Sequence, residues 1–175
     1  MKKIFIIIAV IFFNEILFSQ ESEYILKAAF IEKFCRFTEW PTAKIDTSDF
    51  FNITVFGDYN FDNILDDVFK DVVIKDKTVN ISYTKSIAEL SPNPHLIFIA
   101  PGQKAAIKNL HQLSVKENIL LVGDEEEYGL EGVHINFYLT DKGTLHFTIN
   151  LESVKKSNLK LNLMLIEIAK IIKEN

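Results

Sequence analysis

The alternation between Val133 and Asn150 constrains this chain more than any other feature. In VHINFYL, Val133, Ile135, Phe137 and Leu139 alternate with His134, Asn136 and Tyr138; in TLHFTIN, Leu145, Phe147 and Ile149 alternate with Thr144, His146, Thr148 and Asn150. A repeat of two sends successive side chains to opposite faces, so each run reads as a strand with one buried face. Asp141-Lys142-Gly143 between them suits a turn whose glycine takes positive φ. Pairing Thr140 with Thr144 sets Leu139 against Leu145, Phe137 against Phe147 and Ile135 against Ile149. A one-residue slip would scramble that apolar set.

Asn150 closes the second strand and suits the N-cap of a short helix from Leu151 to Lys156. Beyond Ser157-Asn158, Leu159, Leu163 and Ile166 fall at i, i+4, i+7, as do Leu161, Leu165 and Ile168. That spacing predicts a core helix from Leu159 to Ile172, with Glu167, Lys170 and Lys173 in water.

Upstream, a first helix is expected from Glu21–Glu23 to Glu39. Leu26, Phe30, Phe34 and Phe37 form its apolar stripe, with Ala28, Ile31 and Cys35 alongside and Lys27, Lys33 and Arg36 wet. Trp40-Pro41 ends it, since proline lacks a donor and pushes its predecessor out of the α region. Trp40 reads either as a lid over the core edge or as an aromatic wall for a ligand or partner. A polar connector (42–48) precedes a buried strand, Phe50 to Phe56, then Gly57-Asp58 and a helix, Phe61 to Phe69. Short strands Val72–Ile74 and Val79–Tyr83 flank Asp76-Lys77, and Ser86–Leu90 makes a helical turn. His95–Ala100 is an apolar run of the kind buried in parallel sheets. A helix, Gln103–Leu113, a strand, Asn118–Val122, and an acidic loop, Asp124–Glu131, complete the chain. Strands alternating with helices imply βαβ units. The expected fold is an α/β single-domain three-layer sandwich. Its sheet is mixed and mostly parallel, with a C-terminal antiparallel hairpin and helices on both faces.

Residues 1–19 are expected to be a cleaved signal peptide: Lys2-Lys3 leads the ten apolar residues Ile4–Phe13, too few to span a bilayer. The remainder, 20–175, is one domain by length. Cleavage takes Lys2, Lys3 and Glu15 from totals of 19 basic and 24 acidic residues, leaving a net charge of −6. An acidic surface argues against nucleic-acid binding and against adsorption to membranes. With Cys35 the single cysteine, no internal disulfide can form.

The chain carries no GxGxxG, GxxxxGK, HExxH, CxxC or GxSxG. His134 and His146 share the hairpin's polar face, but the register separates them by four residues, about 13 Å, beyond the reach of one ion. Asp124-Glu125-Glu126-Glu127 lacks the alternating spacing of a calcium loop. No metal or cofactor is expected. Two strands end in Gly-Asp, at Gly57-Asp58 and Gly123-Asp124. Ligands of open α/β sheets bind beyond the carboxyl ends of strands, so on one reading Asp58 and Asp124 line a single crevice near Trp40. On the other, each glycine allows a turn and each aspartate caps the next segment. Asn136 and Asn150 are further candidates on the hairpin's polar face, where asparagine more often satisfies backbone groups.

The segment GVHINFYLTDKGTLHFTINLESVKKSNLKLNLMLIEIAKII resembles the closing signature of the YfiR family of periplasmic signalling proteins. KAAFIEKFCRFTEWP (Lys27–Pro41) is similar to the family's opening helix and exit, and VFGD, HLIFIA and LVGD come in its order. The chain departs from the pattern at Pro94, where many relatives carry cysteine. The resemblance implies a non-enzymatic regulator that represses or modulates a membrane-bound sensor, a diguanylate cyclase or a histidine kinase, through its periplasmic part. It further implies an outer-membrane lipoprotein that sequesters the regulator, and a homodimer. A small-molecule-binding sensor module using the strand-end crevice is the alternative.

Overall fold

A computed structural model describes residues 22–59, 61 and 63–173; the expected signal peptide lies outside them. The chain opens with helix α1 (residues 22–37), then β1 (Thr38–Glu39), α2 (Thr42–Asp46), β2 (Phe51–Phe56) and α3 (Ile64–Phe69). The hairpin β3 (Val73–Ile74) and β4 (Lys77–Thr84) precedes β5 (Leu96–Ile99), α4 (Lys104–Glu117) and β6 (Leu120–Gly123). A 3-10 segment (Glu126–Glu131) leads to β7 (Ile135–Leu139), β8 (Leu145–Asn150) and α5 (Leu151–Lys156). Last come β9 (Lys160–Leu161), α6 (Leu163–Ile168) and β10 (Lys170–Ile172).

Eight strands form one sheet, ordered β10-β8-β7-β6-β5-β2-β4-β3; β1 and β9 pair separately. Among the described residues, only β7–β8 and β3–β4 are antiparallel within the large sheet. One core, on the α1 face, holds Ala28, Ile31, Phe34, Ile53, Val55, Phe98, Val122, Phe137 and Ile149. A second, on the α4 face, holds Ile97, Ile99, Ile107, Leu110, Leu121 and Tyr128. Helices on both faces of a mixed, mostly parallel sheet make the expected three-layer sandwich.

The terminal hairpin has the register its alternation requires: Leu139 opposite Leu145, Phe137 opposite Phe147, Ile135 opposite Ile149. Thr140 N–H donates to Thr144 O at 3.0 Å, and Gly143 takes φ +74° in the turn. Phe147 meets Phe34 edge-on at 5.0 Å, which locks the hairpin's apolar face to α1. The opposite face is buried at one end, where His134, Asn136, Thr148 and Asn150 are fully enclosed, while toward the turn Tyr138 is half-buried and His146 exposed. The 3-10 segment covers it, so Asp124–Glu131 is not a solvated loop throughout; Tyr128 and Gly129 are buried.

Three expectations need correction. Residues 42–48 contain a helical turn, α2, instead of an unstructured connector. The stripe of α1 is rotated: Ala28, Ile31, Phe34 and Cys35 are buried, Leu26 is exposed, and Lys27, expected wet, is buried. The helix predicted from Leu159 to Ile172 is six residues long, its periodicity overruled at both ends. At the start, β9 pairs with β1, Asn162 N–H donates to Phe37 O at 2.8 Å, and the Asn162 side chain caps Met164 N at 2.9 Å. At the end, Lys170–Ile172 pairs in parallel with Thr148–Asn150, satisfying backbone groups on β8 that would otherwise be a bare edge. Tertiary pairing outweighs local propensity here.

Candidate functional site

At the carboxyl end of the sheet, α1 reaches down to the strand ends. Lys27 Nζ lies 2.7 and 2.8 Å from the two oxygens of Asp124, and donates to Tyr59 Oη at 3.2 Å. Glu23, one helical turn earlier, pairs with the same ammonium. Burial pushes the Asp124 carboxyl up, against the pull of the Lys27 hydrogen bond and charge. Burial also raises the Tyr59 phenol, helped by the Asp124 charge. A buried ion cluster of this kind contributes little net stability, yet taking both carboxylates from the Lys27 ammonium would strand its charge at about 3–5 kcal/mol. Beside it opens a cleft of about 410 Å³, lined by Lys27, Asp124, Glu125, Tyr138 and Leu139 among others.

The five candidate residues do not converge. Asp58 projects into solvent with 88% of its side chain exposed, pairs with Lys85 at 2.8 Å, and is not among the residues lining that cleft. Trp40 lies past the far end of α1, whose last residue, Phe37, is already roughly 15 Å along the helix from Lys27 at 1.5 Å per residue. Its Nε1–H donates to His95 O at 3.1 Å and its ring meets Phe51 edge-on at 5.2 Å, beside a second cleft of about 530 Å³. Asn136 and Asn150 both face the 3-10 segment. Asn150 Nδ2–H donates to Gly129 O at 2.9 Å while its Oδ1 accepts from Ser153 N–H at 2.9 Å, the expected cap. Asn136 Nδ2–H donates to Val133 O at 3.3 Å. The same segment fits against β10: a Cβ on Gly129 would collide with Ile172 Cδ1.

Two buried histidines finish the amino end of the sheet, and sequence reasoning missed both roles. Asn52 N–H donates to His95 Nδ1 at 2.9 Å, and Leu121 N–H donates to His134 Nδ1 at 2.9 Å. Each imidazole thus accepts at Nδ1 and must be neutral, with its proton on Nε2; that of His134 points at Ser157 Oγ, 3.0 Å away. Burial lowers His95 to about 4 and His134 to about 3. The available signal was positional: each histidine immediately precedes an apolar strand, in HLIFIA and HINF.

The third feature is apolar. Leu163, Met164, Ile168 and Ile171 are 70, 62, 63 and 43% exposed, four large apolar side chains within nine residues of α6 and β10. Only Leu165 of α6 is buried. Among the described residues no three His, Cys, Asp or Glu side chains converge as a metal site, and no helix is long and apolar enough to cross a membrane.

The protein is thus a three-layer α/β sandwich whose strand-end charges, Glu23, Lys27 and Asp124, are paired with one another, and whose α6 and β10 expose apolar side chains. Residues 24–170 match the sequence profile of the YfiR/HmsC-like family, and the chain belongs to that family. Membership points to a regulator of signalling and away from an enzyme. A comparison with curated protein sequences returned no match.

Proposed function

We propose that this protein, exported by the signal peptide of residues 1–19 and folded as one domain over 20–175, is a periplasmic regulator. It represses or modulates a membrane-bound signalling sensor, a diguanylate cyclase of a cyclic-di-GMP pathway or a histidine kinase, by contact with the sensor's periplasmic part. An outer-membrane lipoprotein that sequesters it would release the sensor. The observation that carries this reading is the exposed apolar group on α6 and β10. Solvent-exposed clusters of this kind on a soluble fold mark interaction surfaces. To act, the regulator must bind one sensor state more tightly than the other; equal affinity shifts nothing. Of the candidate residues, Asp58, exposed and paired with Lys85, and Trp40 and Asp124, which line clefts, are the ones proposed to meet a partner or ligand, with the buried Asn136 and Asn150 supporting the hairpin beneath them.

The test is capture from a membrane extract with the mature protein as bait. A membrane sensor should be recovered, and Leu163→Ser with Met164→Ser should reduce recovery at least tenfold without lowering Tm. Recovery of no membrane sensor, or equal recovery by the variant, overturns the reading.

A further inference from the structure

Lysine is seldom buried without a carboxylate beside it. Among the described residues two lysines are buried, Lys27 and Lys44. Lys27 has Glu23 at 2.5 Å and Asp124 at 2.7 Å. Lys44, on α2, has a neutral amide instead: its Nζ donates to Asn93 Oδ1 at 2.5 Å, and among the described residues no carboxylate pairs with it. Asn93 Nδ2–H donates in turn to Thr47 Oγ1 at 2.7 Å, which holds Oδ1 toward the ammonium. An ammonium carries three N–H donors, so two of those on Lys44 have no acceptor among the described residues. Burial lowers Lys44 to about 8, against the pull of the Glu117 charge from α4, so at pH 7 it is still a cation.

Lys44 and Asn93 both line a cleft of about 270 Å³. Pro94 and Ile119, also on it, immediately precede β5 and β6, so the cleft opens at the amino end of the sheet, away from Asp124. Its wall is apolar: Ile119 belongs to the core on the α4 face, and Leu90 and Leu113 pack against that core. Glu117 stands on the cleft's margin with its carboxylate paired to Lys116 at 3.0 Å. These groups select an occupant. A buried cation without a counter-ion favours an anion, and a charge-assisted hydrogen bond in such a place is stronger than in water. The Glu117 carboxylate repels a second negative charge, so the anion is single. The wall and the volume suit a short hydrocarbon chain. We infer that this cleft binds a small aliphatic monocarboxylate, its carboxylate accepting from Lys44 Nζ and its chain lying against Leu90, Leu113 and Ile119. The site is separate from α6 and β10 and does not rest on their role.

The probe is hexanoate, titrated into the mature protein and followed by NMR of the methyl groups and of the lysine Cε. Saturable shifts at Leu90, Leu113, Ile119 and Lys44 are expected. Hexanol and hexylamine, which keep the chain and lack the negative charge, should bind at least tenfold more weakly; this comparison leaves the protein unaltered. Lys44→Gln should lose at least tenfold in hexanoate affinity, and Glu117→Gln should gain affinity. No saturable shift at millimolar hexanoate, hexanol binding as tightly as hexanoate, or unchanged hexanoate affinity in a folded Lys44→Gln protein would each overturn the inference. Should Lys44→Gln fail to fold, the three ligands of equal chain length decide it on the unaltered protein.

Discussion

The two margins of the sheet are finished in different ways. At one, β10 covers the backbone of β8 and becomes the outer strand itself, three residues long, with Leu163, Met164, Ile168 and Ile171 exposed on it and on α6. At the other, β3 stops after two residues, and what remains outward is the backbone of β4. Both margins leave an outer backbone ladder open among the described residues, but the first is three residues long beside exposed apolar area, while the second runs over Val79–Thr84. Apolar area is non-directional and tolerates varied partners. An open ladder demands one backbone geometry and takes its specificity from alternate side chains.

Such a contrast requires a rigid body between the margins, and the largest expected effects test that. Removing both carboxylates, in Glu23→Ala with Asp124→Ala, strands the buried Lys27 ammonium and should cost about 3–5 kcal/mol in urea unfolding; Asp58→Ala, in solvent, should cost under about 0.5 kcal/mol. Within α6, anchoring and display should separate: Leu165→Ala should lose about 2–5 kcal/mol, whereas Leu163→Ala should stay within about 0.5 kcal/mol. Equal losses for the two leucines would mean that α6 is held by its whole surface and offers none of it.

Acid should loosen the middle before either margin. His95 and His134 are held below their unfolded value of about 6.5, so both stay neutral in the fold while the unfolded chain takes up protons. Their contribution is full above about pH 6.5. It is lost progressively for each histidine as pH drops from there toward their folded values near 4 and 3. His134→Asn should flatten that slope in chemical unfolding tracked from pH 7 to 4. The smallest effect should come from Asn162→Ala, which removes the α6 cap for about 1 kcal/mol. Hydrogen exchange should show the loss confined to α6 and β10.

How much of the fold and site is legible in the sequence depends on the reach of each signal. The hairpin register can be read because alternation, turn and glycine all lie within eighteen residues and agree. The tail cannot, since LKLNLMLIEIAKII satisfies a helical period while its fate depends on β1 and β8, distant in sequence. The two Gly-Asp dipeptides make the same point. They are chemically identical and both end strands, yet Asp124 is buried and Asp58 exposed, because only Asp124 lies under Lys27. Lys27 itself looks like surface: a lysine beside alanines and phenylalanine carries no local mark of burial.

The central claim, that this protein works through what its C-terminal margin touches, is tested most directly by placing a photo-cross-linker at Met164 and exposing the protein to membranes. The account predicts an adduct with a membrane sensor's periplasmic domain from position 164, and none from a control at Asp141, which is also exposed. No membrane adduct from position 164, or the same adduct from both positions, would contradict it.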